Sequence, residues 1–318
     1  MIKQATPDYL DIAAELLRVG QTVAFPTDTV YGLGADAAND DAVKQVYAIK
    51  NRPLDKAIGL LVPSIAHAEA VAVFDNRAAT LAHAFWPGGL SLVLPVREDA
   101  CISPTALAGN TTVSVRMPNH PVALNLLQRF DKPIAAPSAN PSGQLTTTTA
   151  LDVARDLQDH VPVILAGGNT PLIGIESTII DLTGEQAIIL RQGAISSELI
   201  EALIGPVIIQ DSDAPSFTLK TKLRLGAVDV KQGEAFLGFG RLNYIGAEGV
   251  GFVHDMPEGH WRNLSPEGDL HVAARHLYPM LHELDQLGAS QIAVMSIPES
   301  GLGQAINDRL RRIATKDK

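Results

Sequence analysis

The chain has 318 residues, of which 46% are hydrophobic, 19% charged and 5% aromatic, which excludes the disordered and collagen-like classes and exceeds what one hydrophobic core comfortably fills. Its 25 Lys and Arg against 35 Asp and Glu give a net charge of -10, so there is no global positive field for a polyanion and any nucleotide site must be a local basic cluster. Cys101 is the single cysteine, which excludes an intramolecular disulfide and a cysteine-based zinc site within one chain and fits a reducing cytosol.

The first residues, MIKQATPDYLDIAAELL, lack the apolar run of a secretion signal, being interrupted by Asp8, Asp11 and Glu15. The stretch AIGLLVPSIAHAEAVAVF is broken by Pro63, His67 and Glu69 before the roughly 20 residues a membrane span needs. A soluble, cytoplasmic protein is expected. Thr6 caps a first helix, Pro7 takes its first position, Leu10, Ala13, Leu16 and Leu17 form its apolar face, and Gly20 ends it. A strand is expected from Thr22 to Phe25. PTDTVYGLGAD reads as a loop, and Asn39 caps a second helix that carries Val43, Val46, Tyr47 and Ile49 at helical spacing.

AIGLLV then reads as a buried strand. SLVLPV, TVSVRMP, PIAAPSAN, PVILAGG, STIIDL and AIILRQG are short apolar or β-branched runs bounded by Pro and Gly, alternating with helical patterns at Val122 to Phe130 and Ala150 to Leu157. The alternation predicts an α/β fold with a substantial sheet. Residues 210 to 222, QDSDAPSFTLKTK, are polar without an apolar period and read as a linker. Beyond it, EAFLGFG and QIAVMSI read as strands, Gly268 to Gln286 and Gly303 to Ile313 as helices, and GFGRLNYIGAEGVGF as strands with turns. The expected organisation is a domain over 1–208, a linker over 209–222 and a small α/β domain over 223–318.

Neither GxxxxGK[ST] nor a strand-linked GxGxxG occurs, so nucleotide binding needs another device. Strand ends carry small polar and basic residues instead, the usual ligand position in α/β sheets. Thr27 and Thr29 in PTDTVYG suit a polar small molecule or, in the plainer reading, a capped turn before a helix. In KNRP, Lys50 and Arg52 face one side if the backbone is extended before Pro53, and with Lys56 they would clamp a phosphate chain. Alternatively, they oppose the negative end of the helix macrodipole. Thr112, Ser114 and Arg116 share one face of TTVSVRMP, a polar face that needs a partner or a ligand. Ser138 and Asn140 sit between Pro137 and Pro141, held stiff for a ligand or simply turning the chain. Glu176, Ser177 and Thr178 stand at a strand mouth, and Arg191, beside Ile188, Ile189 and Leu190, is expected to meet an anion.

Taken together, PTDTVYGLGADA, KNRP, FWPGGLSLVL, TVSVRMPNHP, APSANPSG, GIESTIID and ILRQGAIS resemble, in order and spacing, the threonylcarbamoyl-adenylate synthase family of YrdC-like proteins. They cover nearly all of residues 1 to 205. AFLGFG, NLSPEGDLHVAARHLYPMLHELD and GLGQAINDRLRR resemble the accessory C-terminal domain of the longer members. The resemblance implies a YrdC-like twisted mixed sheet with flanking helices, then a small Rossmann-like domain. It implies a nucleotidyltransferase that joins L-threonine, bicarbonate or carbon dioxide, and ATP into threonylcarbamoyl-AMP, releasing pyrophosphate, for the threonylcarbamoyl modification of tRNA by a partner transferase complex. By motif match, Lys50, Arg52 and Lys56 would hold the phosphates, the first two as catalytic residues. Thr112, Ser138, Asn140, Thr146 and Arg191 would complete the ATP site. Thr29, Arg116 and Ser177 would hold threonine, and magnesium would ride on the ATP phosphates rather than on protein ligands. The alternative is a non-catalytic nucleotide- or RNA-binding paralogue.

The chain departs from the family pattern at three places. Leu61 stands where many longer members have histidine, Ala166 precedes Gly167 and Gly168 where Asp-Gly-Gly is usual, and residues 212 to 222 lack the Ser-Pro-Gly-Met segment and His-Tyr pair of the longer members' lid. The nine histidines include no HExxH or compact ligand pair and read as solvated or capping. Asp308, Arg309, Arg311 and Arg312 read as the solvated face of a closing helix or, alternatively, as a basic RNA contact.

Overall fold

Apolar runs in the first two hundred residues are explained by a sheet covered on both faces. The chain, in a computed structural model that describes residues 1–157, 160–167, 173–210, 218–242 and 256–314, starts with β1 (Ile2–Gln4), α1 (Pro7–Arg18), β2 (Val23–Pro26), β3 (Tyr31–Asp36) and α2 (Asp40–Lys50). It continues with β4 (Leu60–Leu61), α3 (Ile65–Glu69), α4 (Asn76–Phe85), β5 (Leu90–Pro95), α5 (Pro104–Leu107), β6 (Thr112–Arg116) and α6 (Pro121–Phe130). Then come β7 (Ile134–Ala135), α7 (Ala150–Leu157), β8 (Val163–Ala166), β9 (Thr178–Asp181), β10 (Ile188–Arg191), α8 (Ser197–Ile204) and β11 (Ile208–Ile209). These eleven strands form one mixed sheet in the order β1-β8-β2-β3-β7-β4-β6-β5-β9-β10-β11.

Side-chain alternation along the strands feeds two cores. Val23, Phe25, Val163 and Leu165 pack with Leu10, Ala13 and Leu17 of α1 and Leu126 and Leu127 of α6. Ala24, Leu60 and Ile164 pack on the other face with Val43, Val46 and Tyr47 of α2 and Leu81 of α4. Both predicted caps form: Thr6 Oγ1 accepts from Tyr9 N at 3.5 Å and Asn39 Oδ1 from Ala42 N at 3.1 Å.

PTDTVYGLGAD, expected as a loop, is instead the second half of a hairpin, with Tyr31–Asp36 antiparallel to Val23–Pro26. Gly32 and Gly34 conceal it, since alternating glycines erase the apolar signal on one face. A Cβ on Gly34 would lie 2.6 Å from Ile134 Cγ2 and 2.7 Å from Phe25 Cε1, so neighbouring side chains fill that space. The turn of Thr27 and Thr29 therefore joins two strands and does not precede a helix. The AIGLLV run narrows to the two paired residues of β4.

Packing divides the chain into two units, Met1–Ser142 with Thr146–Leu172 and Glu176–Ser212, and Gly143–Leu145 with Ile173–Ile175 and Asp213–Lys318. The second unit contains β12 (Leu223–Leu225), β13 (Ala235–Gly238), β14 (Trp261–Asn263), α9 (Leu270–Asp285), β15 (Ile292–Val294) and α10 (Leu302–Ala314). Its strands are all parallel in the order β12-β15-β13-β14. Leu145 and Ile175, which the sequence reading kept in the first domain, belong to the core of this unit with Leu277, Leu281 and Ile306.

Arg309, expected on a solvated face, is 2% exposed and paired with Asp308. Arg312 bonds the same Asp308 at 2.8 Å and Arg311 bonds Glu299 at 2.7 Å, so each guanidinium of this run has a carboxylate partner. Gly168, residues 211–217 of the expected linker and residues 243–252 of the glycine-rich segment lie outside the described residues. Among the described residues no helix is long and apolar enough to cross a membrane.

Candidate functional site

Most of the residues singled out in the first unit come together around Arg116 and the β2–β3 turn. Arg116 ends β6, Leu61 ends β4 and Arg191 ends β10. The registers Leu90 with Thr178 and Arg191 with Ile179 bring the segment before β9 to that end of the sheet, whereas the loop after β7 runs beside the β2–β3 turn, with Gly32 paired to Ser138 and Ala139 N donating to Tyr31 O at 2.8 Å.

The β2–β3 turn is tied by Thr27. Its Oγ1 accepts from Thr29 N and Val30 N, both at 3.2 Å, and donates to Val30 O at 2.6 Å. The Thr27 proton is thereby committed, so Thr29 must be the donor in the 3.0 Å contact between the two hydroxyls. Thr29 Oγ1 in turn accepts from Arg116 Nη1 at 2.8 Å, and Asp28 Oδ1 accepts from Arg116 Nη2 at 2.7 Å. Asp28 is a site neighbour that sequence reasoning missed, because an acid in a turn looks like a turn former until its partner, 88 residues away, is known. His120 is also buried; burial lowers its pKa, and the Asp28 charge opposes the shift.

Lys50, at the end of α2, is buried and its ammonium donates to Ser138 O and Asn140 O. Ser142 N donates back to Lys50 O at 2.8 Å, so the helix end and the Pro-Ser loop hold each other. Arg52 does not join it. The extended backbone expected before Pro53 is absent, since Asn51 is left-handed at φ 48, and Arg52 turns to donate to Lys56 O at 3.1 Å and Ala57 O at 2.8 Å. Lys56 is exposed. Burial, then the neighbouring Arg52 charge, pulls the Lys50 amine down to about 7.

Arg191 donates from Nε to Ser177 O at 2.9 Å and from Nη2 to Ser177 Oγ at 3.0 Å. Ser177 Oγ also meets Ser91 Oγ at 2.8 Å, a buried contact hidden in the apolar pattern of β5. Thr146 donates to Glu176 Oε1 at 2.8 Å. Asn140 Nδ2 donates to Pro141 O at 2.9 Å. Thr112 opens β6, paired with Pro95, roughly 13 Å of strand from Arg116 and on the side of the strand toward which the loop after β7 runs.

Gly193 supports the Arg191 contact by close approach. A Cβ there would lie 2.5 Å from Ser177 C and 2.6 Å from Ser177 O, contacts with backbone that cannot swing away. Gly193→Ala is expected to push the 176–177 segment from Arg191 and to cost about 1–3 kcal/mol of stability. Thermal unfolding beside ATP and threonine affinities checks this; unchanged values in all three would exclude the contact as a site support.

Comparison with known proteins decides the family. The model for the Sua5, YciO and YrdC family, described as telomere recombination, matches residues 15–193, and the model of the threonylcarbamoyl-AMP synthase C-terminal domain matches residues 220–315. The threonylcarbamoyl-AMP synthase of Bacillus subtilis is 37% identical over 321 residues, covering 95% of this chain and 92% of its own. The chain belongs to the threonylcarbamoyl-AMP synthase family. The crystal structure of Pyrococcus abyssi Sua5 complexed with L-threonine superposes with a TM-score of 0.84 at 32% identity, covering 99% of this chain and 96% of that one. In this threonylcarbamoyl-AMP synthase family member, Leu61 lies in register with Arg116 and packs in the apolar cluster with Phe25 and Leu165. Ala166 pairs with Gln4 at the end of β8.

Proposed function

We infer that the chain is a threonylcarbamoyl-AMP synthase, a nucleotidyltransferase making L-threonylcarbamoyl-AMP and pyrophosphate from L-threonine, bicarbonate or carbon dioxide, and ATP. A partner transferase complex uses the product for the threonylcarbamoyl modification of tRNA, and a cytoplasmic location belongs to the same reading. The observation that carries it is a buried guanidinium held by Asp28 and Thr29 of the β2–β3 turn, beside which the Ser138–Asn140 loop runs with a buried lysine on its carbonyls. The first suits an amino-acid carboxylate and the second a phosphate chain.

In this reaction the threonine nitrogen bonds to the carbon of carbon dioxide and gives up a proton, forming a carbamate. A carbamate oxygen attacks the α-phosphorus of ATP, and the bond from that phosphorus to the β-phosphate breaks to release pyrophosphate. No protein nucleophile is needed, so the chain positions the reactants and neutralises phosphate charge. Arg116 keeps one N–H on each terminal nitrogen beyond those given to Asp28 and Thr29, and these take the α-carboxylate. Thr29 Oγ1 offers its remaining lone pair to a threonine N–H or O–H, with Ser177 alongside.

Lys50 and Arg52 act on the phosphates with Lys56, Arg52 exchanging its two carbonyl partners for phosphate oxygens. Thr112, Ser138, Asn140, Thr146 and Arg191 complete the ATP site. Magnesium enters this proposal on the phosphates of ATP. The test supplies the purified protein with magnesium, ATP and bicarbonate, and measures pyrophosphate and the adenylate mass. Both are expected only when L-threonine is added; ATP binding with neither product would favour a non-catalytic nucleotide-binding paralogue.

A further inference from the structure

Asp28 and Arg116 meet through one leg of a two-legged contact. Asp28 Oδ1 accepts from Arg116 Nη2 at 2.7 Å, while Asp28 Oδ2 and Arg116 Nε are both buried without a hydrogen-bond partner. The other terminal nitrogen, Nη1, is held by Thr29 at 2.8 Å. Two consecutive residues of one turn thus pin the two ends of one guanidinium, and Thr27 makes that turn rigid by three hydrogen bonds of its own. A carboxylate and a hydroxyl placed this way fix the plane of the guanidinium as well as its charge. Bidentate recognition depends on that plane.

We propose that Asp28 is a positioning residue for amino-acid recognition, acting through Arg116 by holding the guanidinium plane in the orientation that receives the α-carboxylate. The proposal rests on the reading of Arg116 as the carboxylate anchor. Neither Asp28 nor Thr29 lends this function to the nucleotide, because both of their described side-chain contacts run to Arg116 and Thr27. Loss of the carboxylate should therefore fall on threonine alone. Thr29 is the second pin, so the guanidinium remains tethered at one end when Asp28 is altered, and the loss is partial.

The test compares Asp28→Asn, which keeps the shape and one acceptor oxygen, with Asp28→Glu, which keeps the charge and moves it by one methylene. Calorimetry measures affinity for L-threonine, for L-threoninamide, which lacks the carboxylate, and for ATP in the full chain. Asp28→Asn is expected to weaken L-threonine about 10- to 100-fold, in line with truncating one partner of a buried charge pair. ATP affinity should stay within about 3-fold, and the preference for L-threonine over its amide should shrink by the same factor as the threonine loss. In Asp28→Glu part of the lost preference, but not all of it, should remain. Equal losses for threonine, amide and ATP would make Asp28 merely structural, and unchanged threonine affinity would overturn the proposal. If Asp28→Asn does not fold, the Asp28→Glu preference alone decides: a preference equal to that of the parent chain overturns it. Binding of the amide as tightly as L-threonine to the parent chain instead overturns the reading of Arg116, a different outcome.

Discussion

Lys50→Met is expected to lower the kcat/KM for adenylate formation by about 10²–10³-fold, the scale of losing one preorganised charge-stabilising group. The side chain is almost fully buried and its amine supplies the donors for Ser138 O and Asn140 O. Methionine fills the space but leaves both carbonyls without that donor, about 1–3 kcal/mol for each group. Removing the amine also relieves the penalty of burying it. These terms oppose each other, so melting temperature should move little while activity collapses. Pyrophosphate release measured alongside thermal unfolding checks the pair; activity within about 3-fold of the parent would exclude Lys50 from the phosphate site.

The same residue predicts a pH effect with a definite sign. Burial, then Arg52, depresses the folded amine to about 7, below its ordinary value of 10.5. Between those values the unfolded chain binds the proton and the folded chain does not, so the burial penalty is felt below about 7 and stability rises with pH across this window. A phosphate chain beside the amine favours its charged form. ATP binding at pH 8 is therefore expected to take up a proton through Lys50. Calorimetry in two buffers of different ionisation enthalpy reads the uptake, and Lys50→Met should abolish it.

Arg116→Met is expected to damage both stability and threonine use. It strands Asp28, which is 1% exposed, without its charge partner. Breaking a buried pair in this way costs about 3–5 kcal/mol, a fall of roughly 6–20 °C in Tm for a unit of this size. Loss of a buried charged partner weakens binding by about 2–5 kcal/mol, or roughly 30-fold to several thousandfold in threonine affinity. The double change Asp28→Asn with Arg116→Met removes both charges and should recover much of the stability while leaving threonine affinity low. Recovery of threonine affinity together with stability would show that Arg116 serves only the fold.

Much of this molecule is legible in one dimension. Thr6 and Asn39 announce the caps they make, the Val23–Phe25 and Ile164–Leu165 alternation records burial on two faces, and Ala150–Leu157 carries its helical period openly. Strand Tyr31–Asp36 is not legible, because the glycines at positions 32 and 34 carry no apolar signal, and Gly34 records the size of Phe25 and Ile134 rather than a preference of its own. The carbonyl contacts of Arg52 were hidden for a local reason. The left-handed Asn51 reverses the chain between Lys50 and Arg52, where an extended segment was expected.

By itself the amino-acid sequence determined the α/β alternation, the basic and small polar residues at strand ends, and the collinear motifs that mark the family. Local periodicity and motif order suffice for these, because each depends on residues a few positions apart. Only the tertiary structure decided that Asp28 and Thr29 share one guanidinium, that Lys50 holds the Ser138–Asn140 loop, that Leu145 and Ile175 serve the second core, and that Arg309 is buried against Asp308. Three of these four arrangements join residues tens of positions apart, and the fourth depends on how α10 packs in its unit. Buried polar partners are chosen by distance and hydrogen-bond need in the folded chain, and neither quantity leaves a period in the sequence.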